Sequence, residues 1–161
     1  MTTLPAATGP DPRVRRMLAG HPFVQGLEPE DLEIFVEHGV LTEFESRQII
    51  FASGDPADVF YLVRSGVVAL QVDAGGSYPR TIQNLTEGSA LGWSWLFPPY
   101  VWQFDAVAQT PVRTIGFEAA ALRARFEDQP ATGYRVMARV AEVMSERLHA
   151  TRHQLLNLAL S

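Results

Sequence analysis

Few residues in this chain have both the type and the spacing for chemistry. His149 and His153 stand four apart, one helical turn, which suits two metal ligands on one helix face. A third ligand would have to come from elsewhere, and no glutamate follows the first histidine as in a zinc protease, so polar contacts at an interface are the plainer expectation. Ser94 lies between Trp93 and Trp95, outside the Gly-x-Ser-x-Gly turn that exposes a nucleophilic serine. Asp55 and Asp58 belong to a turn, where aspartate is favoured because its side chain bonds nearby backbone. His21 and His38 flank helix ends and are expected as capping or surface residues. The sequence has no cysteine, which removes thiolate nucleophiles, disulfides, cysteine-held metals and iron–sulfur clusters. Catalysis is not expected.

Recognition is better provided for. Gly88 to Ala108, GSALGWSWLFPPYVWQFDAVA, holds all three tryptophans, Trp93, Trp95 and Trp102, together with Phe97, Tyr100 and Phe104. Pro98 and Pro99 fix φ and supply no N–H, so neither a regular helix nor a central strand can continue through the middle. The stretch reads as a short, stiff insertion between strands, rich in aromatic surface. Two readings stand. Either the rings plug the end of a barrel, as large aromatics usually fill cores, or they build a ligand pocket or docking patch.

The totals narrow the class. A length of 161 residues gives one domain with a sizeable core, and 47% hydrophobic with 19% charged residues is ordinary globular composition. The net charge of -5 leaves no basic footprint for nucleic acid. No signal-peptide apolar core and no run long enough to span a bilayer occur, so a cytoplasmic protein without a membrane partner is expected. Residues 1–11 read as a mobile tail and 12–161 as the domain.

The elements that must position these residues follow from period and punctuation. Pro12 starts a short helix carrying Val14, Met17 and Leu18, stopped by Gly20. A second helix fits Pro29 to His38, with Leu32, Phe35 and Val36 on one face. From Val40 the pattern alternates: Leu41–Phe44, Gln48–Phe51, Val59–Val63, Val67–Val72, Thr81–Leu85, Phe104–Ala108 and Val112–Phe117 read as strands separated by glycine turns. The fold class is α+β: an antiparallel, jelly-roll-like β-roll of about eight strands over residues 40–117, with short N-terminal helices and C-terminal helices over 118–158.

The last helix, Thr132 to about Leu158, would run roughly 40 Å at 1.5 Å per residue. Met137, Met144, Thr151 and Leu158 recur every seven residues, and Val140, Ala141, Leu148 and Leu155 fill the same side. A helix longer than its own roll implies a homodimer, with Met137, Val140, Met144, Leu148, Thr151, Leu155 and Leu158 at the interface.

These motifs resemble the cyclic nucleotide-binding domain. His21-Pro22-Phe23 with Gly26-Leu27, then IIFASGDPADVFYLVRSGVV from Ile49 to Val68, stand in that family's order. Arg147-Leu148-His149-Ala150-Thr151 and Asn157-Leu158-Ala159 are similar to the long helix of its catabolite-activator (Crp/Fnr-like) branch. The resemblance runs from about His21 to Leu160. It implies that the aromatic stretch is the family's phosphate-binding cassette, in which a Gly-Glu pair and a later arginine hold the ribose hydroxyl and the cyclic phosphate. Gly92 keeps the glycine. Trp93 stands at the glutamate position, and Trp102 at or beside the arginine, with Gln103 following. No arginine or lysine occurs between Arg80 and Arg113. Losing one partner of such a charge pair costs roughly 2–5 kcal/mol, a thirty- to several-thousand-fold weakening.

By the same resemblance Arg147 matches a helix arginine near the missing glutamate, while Thr151 and Arg152 match positions that reach the purine. The candidate ligand contacts are therefore Gly92, Trp93, Ser94, Trp95, Trp102, Gln103, Arg147, Thr151 and Arg152. No cofactor is implied beyond the family's cyclic nucleotide, whose anchors are missing here. Where transcription factors of this branch continue into a helix-turn-helix, this sequence ends at Ser161, so DNA binding by the chain alone is not expected. The function expected is that of a stand-alone, non-enzymatic sensor binding a small ligand or nucleotide unconventionally in the roll. The alternative is a protein-interaction module whose pocket is filled by its own aromatics.

Overall fold

Asp11 caps the first helix, α1 (Pro12–Ala19), its carboxylate accepting the Arg13 N–H at 2.9 Å, and Pro12 supplies the preset first helical φ. Val14 and Leu18, four apart, are its buried stripe. After a 3₁₀ turn at Pro22–Val24, α2 (Pro29–His38) is set by Asp31, whose carboxylate accepts the Glu28 N–H at 2.8 Å. The structure, a computed structural model, describes residues 3–5 and 9–161. Residues 1, 2 and 6–8 of the expected N-terminal tail therefore lie outside the described residues, and Leu4 packs against the core.

The strands are β1 (Gly39–Phe44), β2 (Ile49–Phe51), β3 (Val59–Ser65), β4 (Val68–Val72), β5 (Arg80–Leu85), β6 (Asp105–Ala108) and β7 (Val112–Glu118). They form two antiparallel sheets in the orders β1-β7-β3 and β2-β6-β4-β5, facing one another as a roll. These are seven strands, not about eight. The aromatic stretch contributes only isolated bridges, Pro56 to Val101 and Leu62 to Ala90, because its prolines cannot extend a ladder. β3 is buried along Val59–Val63 because both of its faces are covered. Tyr61 meets Phe44 at 5.7 Å between ring centres, while Phe60 meets Phe23 at 5.2 Å and stacks on Phe117.

α3 (Ala119–Asp128) ends at Gln129, and Pro130 opens α4 (Pro130–Leu160), 31 residues or about 46 Å long. The first half of α4 belongs to its own domain. Thr132 Oγ1 donates to Asp31 Oδ1 at 2.5 Å, Arg135 Nε to Asp31 Oδ2 at 2.6 Å, and Arg139 to the carbonyls of Phe23 and Pro22, each at 2.9 Å. This corrects the expected interface. Val140 is 3% exposed, a core residue, and Met144 packs half-buried against the same core. Met137 is partly exposed, and every residue from Leu148 onward, including Thr151, Leu155 and Leu158, is exposed. Among the described residues no helix is long and apolar enough to cross a membrane.

Candidate functional site

The chain leaves β5 through Gly88, at φ +87°, where an added Cβ would lie 3.0 Å from Pro22 Cγ. The next residues bond along β3: Val63 N–H donates to Ser89 O at 2.8 Å and Leu91 N–H to Tyr61 O at 3.1 Å. Gly92 follows, buried, and a Cβ there would come within 2.8 Å of the Trp102 ring. Glycine at this position is what lets the tryptophan lie flat across the backbone.

Two of the three tryptophans close inward. Trp95 is 0% exposed, stacks on Phe60 at 4.4 Å and donates its indole N–H to Gly92 O at 3.1 Å. Trp102 is 2% exposed and stacks on Phe51 at 3.8 Å and 7°. The space left beside Trp102, bounded by Ile50, Asp55, Asp58 and Tyr61, is about 30 Å³, roughly the liquid volume of one water. Both residues were expected as ligand contacts. They are core instead, because a flat ring gains more by stacking on Phe51 or Phe60 than by facing water. The segment between them carries a cis Pro98–Pro99 bond and Tyr100 at φ 55°.

Arg123, on α3, holds this segment from below. Its Nη1 donates to Trp95 O at 2.6 Å and its guanidinium sits 3.9 Å over the Tyr100 ring. Sequence reasoning missed it, since nothing around Arg123 marks a helix residue whose partner lies 28 positions earlier.

Trp93 is half-buried, and the Arg147 guanidinium lies over its ring at 5.2 Å. Arg147 Nη2 donates to Ala90 O, while Nη1 is buried with no hydrogen-bond partner. Burial pulls the guanidinium down to about 10, which Glu146 partly opposes. Beside it opens a cavity of about 350 Å³ walled by Gln83, Leu85, Ser89, Ala90, Glu146 and Arg147. Gln83 and Ser89 carried no expectation from sequence, because their placement depends on the pairing of β4 with β5 and on the Val63 N–H bond to Ser89 O.

The remaining candidates separate. Ser94 is half-buried in the turn closed by the Leu96 N–H to Trp93 O bond at 3.0 Å. Gln103 is exposed and donates to Val101 O at 3.1 Å. Thr151 is exposed and donates to its own helix at Arg147 O, 2.9 Å, and Arg152 is exposed on the same free half of α4. The fold thus gathers Gly92, Trp93, Ser94, Trp95, Trp102 and Arg147, and leaves Gln103, Thr151 and Arg152 outside. His149 and His153 are exposed, and the described residues contain no group of His, Cys, Asp or Glu able to hold a metal. His21 is a cap but not a surface residue: it is 5% exposed, its Nδ1 accepting the Phe23 N–H and its Nε2 lying 3.0 Å from Val63 O.

A β-roll closed by the aromatic stretch and followed by a long helix is the architecture that these residues build. A sequence model of the cyclic nucleotide-binding domain matches residues 41–129, and the chain belongs to that family. It is 23% identical over 159 residues, 99% of its length, to a cAMP-dependent protein kinase regulatory subunit of Dictyostelium discoideum. It is 25% identical over 142 residues, 88% of its length, to a CRP-like cAMP-activated global transcriptional regulator of Mycobacterium tuberculosis. The chain spans 49% and 62% of these relatives' lengths. Among solved structures it resembles a cyclic nucleotide-binding domain from Methylobacillus flagellatus with a TM-score of 0.79 at 16% identity, covering 94% of this chain and 88% of that one.

Proposed function

We propose that this protein is a non-enzymatic regulatory module in which recognition of an anionic small ligand has moved from the cassette to Arg147. The observation that carries the reading is the buried Nη1 of Arg147, a charged donor without a partner beside a 350 Å³ cavity. A buried donor left unsatisfied costs about 1–3 kcal/mol, and more when charged. A bound anion relieves that cost, and Gln83 and Ser89 in the same cavity wall offer polar contacts to the rest of the ligand. The cassette itself does not take a cyclic nucleotide in the family's manner. Trp93 supplies no acceptor for a ribose hydroxyl, and Trp102 supplies no charge. The exposed leucines of α4 support pairing with a second copy, which would bring Thr151 and Arg152 toward a shared site.

The test is calorimetry of the full chain against cyclic mononucleotides and cyclic dinucleotides, repeated with Arg147→Met. Binding lost in the variant is the expected result. Equal binding by both proteins would overturn the reading. One observation favours a second reading, the Trp102–Phe51 stack that fills the roll. If no anion binds, the closed roll acts as a docking module for another protein.

A further inference from the structure

A separate cavity of about 370 Å³ lies across Gly88 and Pro22 from the Arg147 site, walled by Met17, His21, Pro22, Arg64, Glu87 and Arg113. Every positive side chain of this protein is an arginine, and most are engaged. Arg13 pairs with Asp11, Arg15 with Glu33, Arg125 with Glu37, and Arg135 with Glu30 and Asp31. Among the described residues, the side chains of five arginines have neither a hydrogen bond nor an ion pair: Arg16, Arg47, Arg64, Arg80 and Arg152. All are exposed except Arg64, which is half-buried in the cavity wall.

Its surroundings are cationic. Arg64 lies at the end of β3, where the neighbouring Ser65 registers against Arg113 of β7. Burial, then the charge of Arg113, hold its guanidinium below the ordinary arginine range, with Arg13 adding to the effect. Glu43 acts on it in the opposite sense, and that carboxylate already faces Arg113 Nε at 3.4 Å. His21 brings no donor to the cavity, since both ring nitrogens are occupied by Val63 and Phe23. Ser65 adds a hydroxyl and Glu87 an acceptor, while Met17 and Pro22 give an apolar wall. The volume falls in the range of small-molecule pockets, about 300–1,000 Å³.

We propose that this cavity is a second anion site, independent of Arg147, for a small molecule whose phosphate monoester or carboxylate is held between Arg64 and Arg113. A hydroxyl or amino group on the same molecule is received by Glu87. An anion placed between the two guanidiniums removes their mutual repulsion and gives each charge-assisted hydrogen bonds.

The experiment follows the arginine Nε–H resonances of the full chain during titration with inorganic phosphate and, separately, succinate, at constant ionic strength. Saturable shifts at Arg64 and Arg113, with none at exposed Arg80 and Arg152, are expected. Arg64→Gln weakens them roughly tenfold or more, equivalent to about 1.4 kcal/mol, and Arg147→Met leaves them unchanged. A response to phosphate alone assigns the phosphate class, and a response to succinate alone the carboxylate class. Arg113→Gln serves as the second variant should Arg64→Gln disturb folding. Shifts that fail to saturate, that appear equally at Arg80 and Arg152, or that survive both variants overturn the proposal.

Discussion

The guanidinium of Arg147 faces the ring of Trp93 at 5.2 Å, so α4 meets the aromatic stretch through a cation over an indole. A cation over an indole is worth about 0.5–2 kcal/mol, whereas the orphaned Nη1 costs about 1–3 kcal/mol. Arg147→Met, which keeps the apolar stem, is therefore expected to change unfolding stability by less than about 1 kcal/mol while abolishing anion binding at this site. A loss above about 3 kcal/mol in urea unfolding would mean that Arg147 is a structural tie first.

Trp102 carries the opposite expectation. Its ring is closed against Phe51 and the backbone of Gly92, so Trp102→Ala leaves a cavity that the stiff proline segment cannot collapse to fill. A destabilisation of about 3–5 kcal/mol is expected, read as a lower denaturant midpoint with an unchanged slope. A change under about 1 kcal/mol would show that the ring is dispensable to the core.

His21 gives the fold a pH dependence. Burial pushes its imidazole below the ordinary 6.5, Arg139 works in the same direction, and the Val63 carbonyl and Glu87 oppose. Below about pH 6.5 the unfolded chain then binds more protons than the native one, so stability rises with pH there. This group's contribution is whole above the unfolded value and is lost as pH falls through the depressed one. The melting temperature should drop between about pH 7 and about pH 5, and His21→Asn, which keeps a capping side chain, should flatten that drop. An identical slope in the variant rules out His21 as the source.

The exposed half of α4 is expected to pair with a second copy. Leu148 and Leu155 are 51% and 61% exposed, so Leu148→Glu with Leu155→Glu leaves the domain's own core intact. Sedimentation should give a dimer for the wild type at tens of micromolar and a monomer for the double variant. A monomeric wild type at that concentration ends the proposal.

Which parts of this were legible follows from where each partner sits in sequence. Gly20, Gly54, Gly66 and Pro130 punctuate elements through their own backbone chemistry, so helix ends and strand limits could be read locally. The lack of a cation in the aromatic stretch was equally plain, since no arginine or lysine occurs between Arg80 and Arg113. The direction of those rings was not legible, because an aromatic that lines a pocket and one that fills a core have the same composition. Val140 and Leu148 share one stripe of α4, yet one is core and the other exposed, since the helix serves its own roll first and only then projects. Arg135 reaches Asp31 across 104 residues, a distance that no periodicity bridges.

The tie between Asp31 and α4 makes the last helix a lever. Its fulcrum is fixed by Thr132, Arg135 and Arg139, its mid-point is clasped at Ala90 by Arg147, and its outer arm is exposed from Leu148 onward. From Arg147 to Leu160 that arm is about 20 Å long, so each ten degrees of tilt at the clasp would carry the tip roughly 3.5 Å. A small displacement at Ala90 would thereby reach the leucines of the tip as a larger one.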